Sequence, residues 1–219
     1  VKRPDKGIGS VPWDWKRATD TIWLEPAEDI FYYVARWRRQ GRLRVLDLGC
    51  GLGRNSLPFA EAGFGVDAID LSEDAVTATA AKLAGFRSCS ATKADMRELP
   101  FIDGRFDCAF AYHSISHANR AGFARTVETL ERVLASGAEL FVTLCSTESP
   151  SYASRRYPEI EPYVIVKDEA PEIGIPHIYF DESGVRAALG NLTLIRLRKI
   201  VDYFDGGFGV HWFAHCAKP

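Results

Sequence analysis

The chain has 219 residues, 47 % of them hydrophobic, which suits one globular domain with a sizeable core. A formal net charge of −2 provides no global drive toward nucleic acid or acidic membranes. No apolar run approaches the roughly 20 residues that a bilayer-spanning helix needs.

Residues 1–25 read as a polar, proline-containing arm without a signal-peptide pattern, opening on Val1 and carrying Trp13, Trp15 and Trp23. Residues 26–40 read as a helix, with Pro26 tolerated in its first turn and Gly41 closing it. Apolar runs and helical patterns then alternate: strand 43–48, helix 54–62, strand 64–70, helix 72–84, strand 87–92, strand 106–112, helix 121–134 and strand 138–145. Ser72, followed by Glu73, Asp74 and an alanine-rich run, is a favourable helix start. Residues 146–178 break this rhythm, with Pro150, Pro158, Pro162, Pro171 and Pro176 around a short apolar run at 163–166. A connection of that length predicts a lid, an insertion or a substrate-binding element. A capped helix at 181–189 and strands near 192–201 and 209–216 complete the chain, with Gly206 and Gly207 in the last turn. That short turn makes the final pair antiparallel, because parallel neighbours need a longer crossover.

The segment 45–60, VLDLGCGLGRNSLPFA, joins a buried strand to a helix through Gly49, Gly51 and Gly53. A glycine turn at that junction is a natural cradle for a nucleotide-like cofactor, although an ordinary tight connection has the same composition. Asp70 ends the next strand twenty-one residues past Gly49, where an acid can accept both hydroxyl hydrogens of a ribose. A dinucleotide-binding Gly-x-Gly-x-x-Gly is disfavoured, since Arg54 or Ser56 falls where its third glycine belongs. An NAD(P)-dependent oxidoreductase is therefore the alternative rather than the first reading. A cofactor-binding module without catalysis also stays open.

The spacing Asp47-x-Gly49-x-Gly51-x-Gly53 resembles motif I of the class I S-adenosylmethionine-dependent methyltransferases, and the resemblance continues in order to about Lys218. It implies an α/β, Rossmann-like fold: a mostly parallel seven-stranded sheet of order 3-2-1-4-5-7-6, its last strand antiparallel, with helices on both faces. It implies S-adenosylmethionine as cofactor, held by Asp47, Gly49, Cys50, Gly51, Gly53, Asp70 and Leu71, then Asp95 and Met96, and Tyr112. In that reading Asp95 accepts from the adenine amine and the Met96 thioether packs on the purine. The other reading of Asp95 is a cap on the short turn at 96–99. One domain is expected, with 1–40 as cap and helix, 41–145 as cofactor core, 146–178 as lid and 179–219 as terminal helix and hairpin. The size and the helix-strand-strand ending most resemble the bacterial family that includes tellurite-resistance-type methyltransferases.

Methyl transfer from a sulfonium is an in-line displacement, so positioning the acceptor supplies much of the acceleration. The acceptor pocket is expected beyond the ends of the fourth and fifth strands, near Tyr112, His113, Ser114, His117, Ser146 and Thr147. His113 is the first candidate for a general base or an orienting group, since imidazole titrates near neutrality; the alternative is that it only fills the cofactor site. His113 and His117 are four residues apart, but no third ligand is evident locally, so no metal is expected. Trp13, Trp15 and Trp23 from the arm, with Tyr152 and Tyr157 from the insertion, are candidates to close the site, although each also suits anchoring a loop on the core. Arg155 and Arg156 are candidates to recognise an anionic acceptor, with solvation in the loop as the alternative, and His177, Tyr179, Tyr203 and His211 are weaker candidates.

Arg36, Arg38, Arg39, Arg42 and Arg44 form a stripe that can contact phosphates, yet it lies at the opposite end of the first strand from the glycine turn. No Asn/Asp-Pro-Pro-aromatic or Pro-Cys motif is present, so a small-molecule acceptor is expected rather than RNA. Five cysteines without paired spacing, Cys50 in the glycine turn among them, fit a reducing compartment; a cytoplasmic location and no membrane association follow as expectations.

Overall fold

A computed structural model describes residues 11–18, 20–204 and 207–219. The first long helix, α1 (Glu28–Arg39), places Ile30, Tyr33 and Trp37 on one buried stripe. Acids in its first turn and arginines in its last complement the helix dipole. Its amino end is capped from a distance: Asn55 Oδ1 accepts the Ala27 amide at 2.9 Å.

The central strands are parallel. β1 (Arg44–Leu48) lies between β2 (Gly65–Asp70) and β4 (Phe106–Ala111), with β3 (Ser90–Lys93) outside β2 and β5 (Leu134–Ser146) outside β4. The helices α2 (Ser56–Glu61), α3 (Glu73–Leu83) and α4 (Arg120–Val133) connect them. Side chains alternate across the sheet. Leu46, Leu48 and Ala109 enter the apolar layer that holds Leu130 and Val133 of α4, whereas Val45, Cys108 and Phe110 enter the layer of α1 and Phe59.

The carboxyl end departs from a plain seven-stranded sheet. β10 (Gly207–Ala217) lies antiparallel to β5 and to β9 (Thr193–Phe204), which yields the expected 3-2-1-4-5-7-6 path as β3-β2-β1-β4-β5-β10-β9. Within the expected lid, α5 (Pro150–Ala153), β6 (Glu159–Glu161) and β7 (Val164–Val166) are followed by β8 (Pro176–Phe180). β8 pairs parallel with Cys145 and Ser146 of β5, and β6-β7-β8 is antiparallel, so the sheet has ten strands rather than seven. Cys145 pairs with His211 on one side and Tyr179 on the other, so β8 occupies the side of β5 that β4 has left by Ala111. Three-residue strands are too short to leave a period in sequence.

Other boundaries shift for local reasons. β3 starts at Ser90, not 87, because the chain is still turning at Phe86 and Ser88 has φ 61°. β5 begins directly after α4, at Leu134. Ser72 makes no side-chain cap; its amide donates instead to Asp70 at 2.8 Å. Asp181 caps α6 (Glu182–Ala188) through the Gly184 amide, as expected. Gly206 lies outside the described residues, and Gly207 pairs with Phe204.

At the start of β5, Glu139 is buried and fully engaged. Arg36 donates to both carboxylate oxygens at 2.9 and 2.8 Å, Trp37 Nε1 at 2.8 Å and Gln40 Nε2 at 3.0 Å, with His215 Nε2 at 2.8 Å. Burial opposes its ionisation, but these partners, Arg36 foremost, hold the carboxyl well below its ordinary range. The stripe of arginines is mostly consumed in this way. Arg38 donates to the Ala62 carbonyl, Arg42 to the carbonyls of Asp107 and Gly137, and Arg44 to the Asp107 carboxylate.

Candidate functional site

The glycine turn lies at the carboxyl end of β1, where the sheet order reverses between β2 and β4. Gly51 has φ 53°, and a Cβ there would come within 2.6 Å of the Trp15 ring. Gly53 has φ 78°, and a Cβ would meet Thr79 Oγ1 at 2.8 Å and its Cα at 3.1 Å. The turn is thus pressed between α3 and the amino-terminal arm. Thr79 Oγ1 also donates to the Gly51 carbonyl at 2.8 Å. Nothing in an alanine-rich helical pattern singled out Thr79.

Asp70 bridges the turn and α3. Its Oδ2 accepts the Gly51 amide at 3.0 Å and its Oδ1 accepts the Ser72 amide. Burial raises its pKa despite those bonds. Asp47 lies beneath, 1 % exposed, with the Ser56 hydroxyl donating at 2.5 Å. Burial pushes its carboxyl up to about 7, and the nearby Asp70 charge adds to that. Burial also raises the Cys50 thiol well above its usual range, consistent with a small core side chain rather than a reactive one. Leu71 follows Asp70 half-buried.

Asp95 is already engaged by its neighbour. The Arg97 amide and Nε both donate to Oδ1, at 2.9 and 2.7 Å, and Arg97 Nη2 pairs with Oδ2. Burial opposes its ionisation, but Arg97 lowers its pKa. The side-chain bond to the Arg97 amide is the turn cap weighed in sequence. Met96 is half-buried against the α4-side core.

The arm folds over the turn. Trp13, Trp15 and Trp23 pack on one another with centroids 5.4 to 6.1 Å apart. Arg54, at the turn's exit, donates to the Ile22 carbonyl at 2.5 Å and lies between the Trp23 and Tyr112 rings, 5.3 and 5.5 Å from their centroids. Trp13 stacks on His117 at 5.2 Å. Sequence placed Arg54 only as a helix start; its role as a clamp on the arm needed the fold.

Four of the five histidines gather beyond β4 and β5, in two pairs. His113 stacks between Tyr112, at 4.2 Å, and His211 of β10, at 4.1 Å. Its backbone is left-handed, φ 50°, a conformation that costs about 1–3 kcal/mol in a non-glycine residue and is retained only where the surroundings impose it. Here they do. The His113 amide donates to Thr143 Oγ1 at 2.7 Å, Ser114 Oγ to the Leu48 carbonyl at 2.6 Å, and the Cys145 amide to Ser116 Oγ at 3.1 Å. Burial, then His211, drives the His113 pKa well below its ordinary value, and burial lowers that of His211 to about 4. Such imidazoles are neutral near pH 7, better suited to orienting an acceptor by hydrogen bonding than to holding its proton.

Four buried nitrogens in this region have no hydrogen-bond partner among the described residues: Trp13 Nε1, Trp15 Nε1, His113 Nε2 and His211 Nδ1. An unmet buried donor or acceptor costs about 1–3 kcal/mol, so each of these nitrogens is a candidate to meet a polar ligand. The second pair, His117 and His177 of β8, lies 4.7 Å apart by ring centroid, and Glu172 joins it. Local spacing offers His117 no third ligand, whereas the fold brings a set of three ligand atoms within 4.8 Å of one another. His117 contributes to it with His177, not with His113, and no local spacing could reveal residues 55 and 60 positions away.

Among the described residues, no hydrogen bond, ion pair or ring contact brings the insertion's other candidates to the histidines. Tyr152 is buried against Tyr179, its hydroxyl donating to Glu159 at 3.1 Å. Arg155 stacks over Tyr152 at 4.5 Å and pairs with Glu159, and Arg156 pairs with Glu169, as does Tyr157. Tyr203 is exposed on β9. A groove of about 580 Å³ between α4, α6 and β8, lined by Phe123, Val127, Tyr179 and Ala187 among others, includes none of the glycine-turn residues and none of the histidines. No helix among the described residues is long and apolar enough to cross a membrane.

Residues 45–137, which run from β1 through β4 into β5, match the family described as methyltransferase domain. Over 107 residues the chain is 36 % identical to the malonyl-[acyl-carrier protein] O-methyltransferase of Pseudescherichia vulneris, a match covering 48 % of this chain and 41 % of that one. Matches to curated relatives span only 26 to 41 % of those proteins' own length. A SAM-dependent methyltransferase of Methanosarcina mazei has the same fold at TM-score 0.73 and 20 % identity, covering 89 % of this chain and 99 % of its own. The 1,6-didemethyltoxoflavin-N1-methyltransferase of Burkholderia thailandensis, solved with 1,6-didemethyltoxoflavin and S-adenosylhomocysteine bound, superposes at TM-score 0.67 and 17 % identity, over 90 % of this chain and 80 % of that one.

Proposed function

We propose that this chain, which carries the domain and fold of the class I S-adenosylmethionine-dependent methyltransferases, transfers a methyl group to a small-molecule acceptor held beside His113 and His211. The methyl donor is S-adenosylmethionine, which supplies a sulfonium-bound methyl group for in-line displacement. The observation that carries this reading is the glycine turn at the carboxyl end of β1, where the sheet order reverses, with Asp70 accepting the Gly51 amide and Asp47 buried beneath it.

In this reading Gly49 to Gly53 offer a bare backbone cradle, Asp70 meets the ribose, and Asp47 provides a buried negative charge for the donor's ammonium group. Asp95 and Met96 serve the adenine end, and Tyr112 with Leu71 walls the cradle. Asp95 must share its oxygens with Arg97 to do so. The tryptophan arm, with Trp15 against Gly51, acts as a cap that excludes water and has to rearrange as the donor enters. His113 and His211 orient the acceptor. The domain divides as cap (1–40), donor core (41–145), lid (146–178) and terminal helix and hairpin (179–219).

A nucleic-acid acceptor is disfavoured because Arg36, Arg38, Arg42 and Arg44 are spent on Glu139, Asp107 and backbone carbonyls. All five cysteines are free thiols, which favours a cytoplasmic location. The test is methyl-labelled S-adenosylmethionine incubated with the protein and fractionated cell extract. Label is expected in the low-molecular-weight fraction; label confined to RNA or protein overturns the acceptor class.

A further inference from the structure

We propose that His117, Glu172 and His177 form a binding site for one divalent transition-metal ion. His177 Nε2 lies 2.9 Å and His117 Nε2 3.8 Å from the same oxygen, Glu172 Oε1, and the three ligand atoms all lie within 4.8 Å of one another. Ligands at about 2.0–2.1 Å from a zinc-like ion stand roughly 3–3.5 Å apart, so the triad needs only a small adjustment to enclose one.

The hydrogen bonding around the triad suits a ligand set. His177 is 1 % exposed, and its Nδ1 faces the Ile175 carbonyl at 2.9 Å, so Nδ1 carries the hydrogen. In a neutral ring Nε2 then aims a lone pair at Glu172. That arrangement, one imidazole nitrogen tied to a backbone carbonyl and the other turned to a further ligand, is how metal-ligating histidines are oriented. A proton on His177 satisfies one contact and leaves His117 Nε2 without a hydrogen bond among the described residues. One dication satisfies all three.

The site is also held in place. The Ile178 amide donates to the Ser116 carbonyl at 2.9 Å, which ties β8 to the segment bearing His117. The Gly174 amide donates to the Lys167 carbonyl at 2.9 Å and closes the turn bearing Glu172. Lys167 pairs with Glu172 Oε2, leaving Oε1 as a single donor. Two neutral imidazoles and one carboxylate leave open coordination positions and suit zinc or iron rather than magnesium or calcium.

The triad's existence does not depend on the methyl-transfer reading, but its purpose does. His117 is separated from the glycine turn by the Trp13 and Trp15 rings, so the ion stands at the acceptor end of the site. It fits an acceptor with a hydroxyl that ionises on coordination, its proton passing to solvent.

The experiment uses chelator-treated full chain, with Zn²⁺ titrated by calorimetry and Co²⁺ by its ligand-field absorption. One equivalent should bind. Glu172→Gln and His177→Asn, each verified as folded by circular dichroism, should weaken binding at least tenfold, and His211→Asn should leave it unchanged. Absence of saturable binding by the folded chain, or affinity unaltered in both triad variants, overturns the site; equal loss in His211→Asn overturns the ligand assignment. Binding of S-adenosylhomocysteine is read separately on the same samples, so failure of the donor reading and failure of the metal site are told apart.

Discussion

In the first half of β5 the buried Glu139 carboxylate is met by Arg36, Trp37, Gln40 and His215; at the strand's other end, His113 Nε2 and His211 Nδ1 are buried with no hydrogen-bond partner among the described residues. Both places bury polar groups in the same fold, yet one is closed by the chain's own donors and the other is left open. A satisfied network stabilises, whereas an unsatisfied one costs stability unless a ligand completes it. The contrast separates residues that hold the sheet together from residues that wait on something outside the chain.

The largest expected effect lies at the closed end. Glu139→Ala strands the Arg36 charge and the Trp37 donor, and should cost about 3–5 kcal/mol in denaturant unfolding. The pH dependence has a definite sign. Glu139 titrates below its ordinary 4.5 when folded, so its contribution is fully present above that pH and is lost as pH falls through the folded value. The variant's stability should therefore fall less between pH 5 and pH 3 than the parent's; parallel acid limbs would contradict the network.

At the open end Asp70→Ala should weaken S-adenosylhomocysteine binding by about 1–3 kcal/mol. Unchanged affinity in calorimetry reassigns Asp70 to the turn alone, where it already accepts the Gly51 and Ser72 amides. Asp47 supplies a smaller, pH-linked effect. Its carboxyl titrates at about 7, so the anion that would meet the ligand's ammonium group accumulates as pH rises. Affinity should tighten between pH 6 and pH 8 by about 1 kcal/mol, and Asp47→Asn should flatten the profile.

The smallest effect sharpens the comparison most. His113→Asn and His211→Asn each remove a stacked ring but no hydrogen bond of His113 Nε2 or His211 Nδ1 among the described residues, so each should cost about 0.5–1 kcal/mol of unfolding stability. A loss as large as that of Glu139→Ala would make the two ends alike.

How much of this was legible before the fold differs between the two halves of the site. The donor half is local: Asp47, the glycines and Asp70 fall within one βαβ unit, so chain spacing alone brings them together. The acceptor half is not. His113 meets His211 only because β10 returns antiparallel to β5, and His117 meets Glu172 and His177 only because β8 takes the side of β5 beyond β4. No periodicity encodes a three-residue strand such as β7, and none predicts that Arg36 and Gln40 would find Glu139 across some hundred residues. The arginine stripe illustrates the limit: its charge was visible, but its partners were not.

The central claim, that the glycine turn beneath the tryptophan arm is a methyl-donor site, is tested most directly by calorimetric titration of the folded chain with S-adenosylhomocysteine. Binding at one site per chain, with a change in tryptophan emission that is lost in Trp15→Phe, is the predicted result. A folded sample that binds neither S-adenosylhomocysteine nor S-adenosylmethionine would contradict it.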